Sequence, residues 1–554
     1  MRFKKIIAMI LVGMVSVSMM ACSGSKETTD TKQEKQLGDT GTVDNDMITV
    51  DLCAEPPELN SMLSTDIASS DILREVISGL YKLDANDNPV EDLAMETTVS
   101  EDGKTYTMKL REDAKWSNGE PVTAHDFVFA YQTICNPKTA SIYAFILYEN
   151  IENGLEVYEG KKDVSELGVK AIDDYTLEVT FTNPIPYAKH LFSFTTYYPM
   201  NQKAYETIGA DQYAKDADKI VTNGPYKIAE WVHDDHITLE KNEQYYNAKD
   251  IQIPNIKYLM MKDSNTRMNA FKARQLDGFE LVGEQVEQMK KEGIEVKSYV
   301  ENRVWYLTYN RKNEVMNNSK ICQALGLAID TQSLCENVIK DGSIPATGLV
   351  PTGIVGANQM KYREVIGDMI HYDPEQAKQL LEEGLKELGI TKDQLHLSLT
   401  TDDTSKIQKE AAYYQEQWKQ TLGIQVNIEP MPYKARLQAM QDGNFDMVLT
   451  AWSPDYNDPM TYLDLFTTTN GNNYGKYSNK EYDSLIQEAK QEVEAEKRQE
   501  LLAKAEKMLI QTDAPTFPLY FSVKSYVLSS KVKNVTRTGF QDWDFTDGAE
   551  IVVK

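Results

Sequence analysis

The stretch 373–452 changes its hydrophobic period repeatedly, and each change predicts a new element. Asp373 and Pro374 make an N-cap and first-turn pair, Leu380, Leu381, Leu385 and Leu388 recur at helical spacing, and Gly389 stops the run. A strand is predicted at 395–400. The following helix spans about 404–422 and ends at Gly423. Ile424, Val426 and Ile428 then alternate along a strand, a short helix covers about 434–441 up to Gly443, and a third strand occupies 445–452. Strands alternating with helices predict a parallel α/β sheet. Nearer the N-terminus the period is two: Tyr106, Met108 and Leu110 alternate in KTYTMKL, and Leu177, Val179 and Phe181 alternate in TLEVTF. No internal repeat emerges.

In parallel α/β sheets ligands sit beyond the carboxyl ends of the strands. The loop after the third strand begins at Ser453 and reads Ser-Pro-Asp-Tyr-Asn-Asp-Pro. Asp455, flanked by Trp452 and Tyr456, can meet a cation in a partly dry pocket. There a charge-assisted pair stabilises more than in water, provided both groups keep hydrogen-bond partners. A plain turn competes with this reading, since Asp before Pro commonly bonds its own backbone, and the pattern alone asks nothing more of Asp455 or Asp458.

The N-terminus alters the picture of where the chain works. Arg2, Lys4 and Lys5 precede an apolar run at 6–20, which is shorter than the ~20 residues of a spanning helix and suits the core of an export signal. Met19, Met20, Ala21 and Cys22 follow, similar to a bacterial lipobox in which the cysteine receives lipid; ordinary cleavage beside an unmodified Cys22 is the alternative. Residues 1–21 are therefore read as a signal peptide and 22–44 as a lipid-attached flexible linker, because that polar segment cannot bury enough surface to offset its ordering entropy. No later stretch is apolar enough to span a membrane, so the body is expected to be soluble.

The rest of the chain exceeds the ~250–300 residues that one core holds, which predicts two or three domains. A formal charge of −27 repels phosphate backbones, so nucleic acid is excluded as a partner; solubility alone accounts for the charge. Cys53, Cys135, Cys322 and Cys335 have neither disulfide-scaffold density nor metal spacing. They are expected to be buried free thiols, with a Cys322–Cys335 bridge as the alternative.

Enzymatic chemistry finds little support. The sequence has neither a GxSxG elbow nor HExxH, and only six histidines. His233 and His236 in HDDH have a spacing that could hold a metal on a helix, but their surroundings predict a solvated turn before the strand ITLEK. Asp84, Asn86 and Asn88 resemble the start of a calcium loop, yet Pro89 replaces its glycine and Met95 its bidentate acid, so a β-turn is expected. No catalytic residue, metal or cofactor is assigned.

Several segments taken together resemble the extracellular family-5 solute-binding proteins of bacterial ABC importers, and among them the oligopeptide-binding branch. These are SEDGKTYTMKLREDAKWSNGEPVTAHDFVFAYQ from Ser100, TASIYA from Thr139, GVKAIDDYTLEVTF from Gly168, TNGPYKIAEW from Thr222 with LEKNEQYY after it, ICQALGLAID from Ile321, and AWSPDYNDP from Ala451. The resemblance implies a two-lobed α/β fold of the periplasmic-binding-protein type II kind, with an additional domain inserted in lobe I. By position, lobe I would take 45–79, 201–300 and 522–554, the inserted domain 80–200, and lobe II 301–521.

The resemblance also implies roles. Asp455 would pair with the free α-ammonium of a peptide, while Ala451 and Ser453 would offer main-chain contacts to an extended ligand, a strand-addition mode that uses groups every peptide has. Tyr143 would face the ligand across the cleft, in a chain with 31 tyrosines against 15 phenylalanines; packing within its own domain is the other reading. Trp452 and Tyr456 complete the expected ligand-binding set. The chain departs from the family where cationic side chains receive the peptide carboxylate: the matching positions hold Met440, Leu449 and Ile407, with Lys340 near another. The expected partners are short peptides with a free amino terminus, the permease and ATPase subunits of an ABC transporter, and the outer face of the cell membrane through lipid on Cys22, with the protein itself a monomer. The alternatives are a family relative that binds a nickel complex, a sugar, haem or a signalling peptide, and, from another class, a secreted peptidase.

Overall fold

The computed structural model describes residues 46–552 except Asp547, all within one body, 44–554. The signal segment, Cys22 and the linker to residue 44 lie outside the described residues. Through the body runs an 11-stranded mixed sheet. One end is parallel: Leu397–Asp402 lies between Val426–Met431 and Met447–Trp452, with Leu399 opposite both Ile428 and Met447. Two strands of 13 residues, Lys297–Tyr309 and Thr516–Leu528, form the antiparallel middle. Beyond them come Gly278–Leu281, Met47–Leu52, Asn255–Met260, His236–Lys241 and Tyr226–Val232.

The three expected helices in 373–452 are Pro374–Leu388, Ser405–Leu422 and Tyr433–Asp442. The Asp373 carboxylate accepts from Gln376 N, and Thr404 caps the second helix by accepting from Ile407 N. Each helix ends where its glycine takes a left-handed φ, at 68°, 69° and 72° for Gly389, Gly423 and Gly443. In the first helix Ala377, Leu381 and Leu385 carry the buried face, while Leu380 and Leu388 are half-buried at its edges. The expected strands each begin two residues later than the hydrophobic pattern suggests, because Leu395, Ile424 and Phe445 are buried before ladder pairing starts.

Apolar side chains gather into two large cores. One draws on residues from Ile48 to Tyr258 together with Tyr526 to Ala549; the other runs from Val304 to Phe521. The chain passes between them along the long central strand, where pairing with Thr516–Leu528 shifts register between Val300 and Val304 and Asn302 takes a φ of 60°. A bulge bends its strand and increases the local twist, so the residues on either side of Asn302 enter different cores. A separate four-stranded antiparallel sheet, Ala94–Val99, Thr105–Leu110, Thr176–Thr180 and Val169–Asp173, packs on the first core. Tyr106, Met108 and Leu110 point inward from it, as do Leu177 and Val179.

Two details differ from expectation, Cys53 and His236. Cys53 is exposed, whereas Cys135, Cys322 and Cys335 are buried and free, their thiols pushed up to about 12 by burial. His236 is not in a solvated turn but opens the strand His236–Lys241 and is buried, because the turn closes one residue earlier. His233 does sit in the turn, with Nδ1 2.6 Å from Glu55 and Nε2 3.2 Å from Asp216. Residues 84–88 form the tight connection of the hairpin Tyr81–Leu83 and Pro89–Glu91, where Asp87 adopts a φ of 62° and is buried.

Candidate functional site

The strand Met447–Trp452 delivers its following loop to a cavity of about 340 Å³ between the two cores. The loop is held from behind. Arg303 Nε donates to Ser453 Oγ at 2.8 Å, Asp455 N donates to Thr461 Oγ1 at 3.2 Å, and Val355 N donates to Asn457 Oδ1 at 3.0 Å. The Asp458 carboxylate accepts from Met460 N, the first residue of the short helix Met460–Leu463, at 2.8 Å, and it is paired with Arg498. With the backbone and its neighbours tied down in this way, the Asp455 carboxylate faces the cavity without an ion pair among the described residues. Desolvation pushes it up to about 7.

Tyr143 forms part of the same cavity from the first core. It stands on a 3₁₀ turn, Ile142–Ala144, with its ring 5.4 Å from that of Phe145 and stacked 6.1 Å from that of Phe194. Its hydroxyl is pushed up to about 12, first by burial and then by the negative charge of Asp455. An acid and a phenol therefore approach the same space from opposite cores, with little competing positive charge beside the acid.

Of the six residues expected to contact a ligand, Tyr143, Trp452, Ser453, Asp455 and Tyr456 line this cavity together. Ala451 lies one step back, opposite Trp305 in the ladder between Lys297–Tyr309 and Met447–Trp452, and is half-buried. Tyr456 reaches the cavity edge, but one ring face is stacked on Tyr187. Ile407, Met440 and Leu449 are buried in packing, and Lys340 is an exposed helix terminus with a φ of 57°; none of the four lines the cavity.

Sequence reasoning missed the far walls. The pair Asp71–Arg74, joined at 3.1 Å, enters from the helix Ile67–Val76, and Glu301 and Lys524, 3.6 Å apart, enter from the two long strands beside the bulge. Thr538 to Asp542 enter from the C-terminal segment. No local pattern marks these positions, because they come together only through strand pairings between distant parts of the chain.

Comparison with known proteins agrees with this architecture. The family described as "Bacterial extracellular solute-binding proteins, family 5 Middle" matches residues 88–474. The oligopeptide-binding protein OppA of Bacillus subtilis is 33% identical over 502 residues, covering 89% of this chain and 90% of that protein. The dipeptide-binding protein DppE of the same organism is 32% identical over 556 residues, covering 99% of each. Among solved structures, Listeria monocytogenes OppA bound to peptide is 34% identical with a TM-score of 0.74, covering 92% of this chain and 99% of that one. These likenesses define a two-lobed, type II-like α/β fold, and the chain belongs to the family-5 bacterial extracellular solute-binding proteins.

Proposed function

We propose that this protein is the peptide-capturing subunit of an ABC importer, enclosing short peptides between its lobes and handing them to a permease. The observation that carries the reading is Asp455: a carboxylate held on a loop with its backbone occupied, facing a cavity, raised by desolvation to about 7, and given no cation by the protein itself. A peptide α-ammonium supplies that cation. It also restores the charge-assisted hydrogen bonds that the desolvated acid lacks. Tyr143 offers a polar tip and an apolar ring from the opposite side, and Trp452 and Ser453 extend the wall along the ligand. Relatives and solved structures named for oligopeptide and dipeptide binding support the same ligand class.

In this reading lobe I comprises 45–79, 201–300 and 522–554, with 80–200 inserted, and lobe II comprises 301–521. The change of core at the Asn302 bulge and after Phe521 supports these limits. A ligand shifts an open–closed equilibrium only by binding one state more tightly, and a cavity walled by both lobes supplies that difference. Lipid on Cys22 would keep the body at the outer membrane face; mass analysis that finds an unmodified N-terminus would refute the anchor. Calorimetry of the chain from Ser23 onward tests the ligand class. Tripeptides to octapeptides should bind, while their N-acetylated copies, and the free peptides against Asp455→Ala, should bind far more weakly. Equal binding of acetylated and free peptides would sink the assignment of Asp455.

A further inference from the structure

We infer that the stacked rings of Tyr187 and Tyr456 form a latch that ties ammonium capture at Asp455 to closure of the cleft. This rests on the peptide-binding reading. The rings lie 4.1 Å apart between centroids and only 2° from parallel. Tyr187 immediately precedes the helix Ala188–Ser193, on the side of the first core, whereas Tyr456 belongs to the loop that follows Met447–Trp452. Among the described hydrophobic side chains, these two are the ones that pack against both large cores.

The stack does not stand alone. Asn457 Nδ2 donates to the Asp87 carbonyl oxygen at 3.5 Å, and His190 Nε2 lies 3.3 Å from that same oxygen. Arg498, fixed by Asp458, places its guanidinium carbon 5.8 Å from the Tyr187 ring centroid, within cation–π range. Three consecutive residues after Asp455 thus each bear on the opposite side: Tyr456 on Tyr187, Asn457 on Asp87, and Asp458 through Arg498 on Tyr187. A cation captured at Asp455 therefore binds the same loop whose next three residues make the contact. Both tyrosines are half-buried, and a cavity of about 130 Å³ beside the stack is walled from both sides. Permanent cores are closely packed with few voids, so this junction has the character of a surface contact that separates. Tyr456 acts in this arrangement through its ring on Tyr187 more than through the ligand.

The test uses the chain from Ser23 onward and a bound tripeptide, with Tyr187→Ala, Tyr187→Leu and Tyr187→Phe. Tyr187 contributes no wall to the Asp455 cavity, so the selectivity for free over N-acetylated peptide should stay as in the unmodified chain. Loss of the ring should raise the peptide dissociation rate about tenfold and enlarge the radius of gyration measured by X-ray scattering, while phenylalanine, which keeps the stack, should restore both. The leucine variant preserves apolar bulk and decides the question should alanine fail to fold. Unchanged dissociation and unchanged scattering in the leucine variant would overturn the latch, as would a loss of selectivity equal to the loss of affinity. The scattering arm needs no peptide: if no peptide binds, the ligand assignment fails, while the free protein's radius still decides whether these rings hold the lobes together.

Discussion

Arg498 holds Asp458 with two nitrogens, each 2.8 Å from a different carboxylate oxygen, three residues beyond the acid that faces the cavity. Both partners are buried. The fork geometry of a guanidinium on a carboxylate fixes direction as well as distance, so this pair anchors the far end of the loop that presents Asp455. Breaking a buried pair by removing one partner leaves an uncompensated charge and costs ~3–5 kcal/mol. Asp458→Ala is therefore expected to lower the urea midpoint substantially and to weaken peptide binding with it. A midpoint unchanged from the parent would show that the pair does not anchor the loop.

Affinity for peptides should depend on pH through Asp455. Its carboxyl in the free protein sits at about 7, raised from 3.8 by desolvation. An ammonium binds the ionised form, so below pH 7 each binding event must displace a proton. Affinity should then fall by up to tenfold per pH unit below 7, and should fall again above about 8, where the peptide α-ammonium loses its own proton. The groups that sense this acid, Tyr143 and Tyr462, remain neutral throughout the range. Calorimetry from pH 5 to 8 should show the slope, and Asp455→Asn should flatten it.

The same raised acid weakens the empty fold. An acid whose folded pKa lies above its unfolded value loses stability as pH rises from the unfolded value to the folded one, here from 3.8 to about 7. Asp455→Asn should accordingly raise the unfolding free energy of the peptide-free protein by on the order of 1 kcal/mol at pH 8 and change little at pH 4. A melting temperature at pH 8 that falls in this variant would contradict the desolvated state of the acid.

Glu410 gives a second pH test away from the cavity. It is buried, receives the Tyr520 hydroxyl at 3.1 Å and the Tyr414 hydroxyl at 3.3 Å, and is raised from 4.5 to about 7 chiefly by desolvation. Its contribution to stability is present below pH 4.5 and is lost as pH climbs to 7. Glu410→Gln keeps an acceptor for the tyrosines and removes the charge. The drop in melting temperature between pH 5 and pH 8 should become smaller in this variant by the equivalent of ~1–3 kcal/mol.

Gly224, in the TNGPY segment, is required by close approach. A Cβ there would stand 2.5 Å from the Val76 carbonyl carbon and 2.7 Å from Ile77 N, both backbone atoms. Its own N–H donates to the Val76 carbonyl at 2.9 Å. Gly224→Ala should lower stability by ~1–3 kcal/mol, as overpacking does where the neighbour cannot move aside. A denaturation midpoint within error of the parent would show that the backbone gives way there.

What sequence alone determined here is local. The helix and strand order of 373–452, the cap at Asp373, the glycine stops, and the inward faces of Tyr106 and Leu177 all depend on periods and end signals within a few residues, and all are present in the fold. The position of Asp455 after a buried strand was legible for the same reason, and the resemblance of AWSPDYNDP added its chemistry. The tertiary structure decided everything that joins distant segments: the stack of Tyr187 on Tyr456, Arg498 beneath the loop, Asp87 as a shared acceptor, and the Asp71, Glu301 and Lys524 walls of the cavity. It also removed Ala451 from the cavity wall and gave one face of Tyr456 to Tyr187. Hydrophobic period specifies which face of an element is buried. Which element buries it is decided by pairings hundreds of residues apart, above all the bulged ladder between Lys297–Tyr309 and Thr516–Leu528, and no local pattern carries that information.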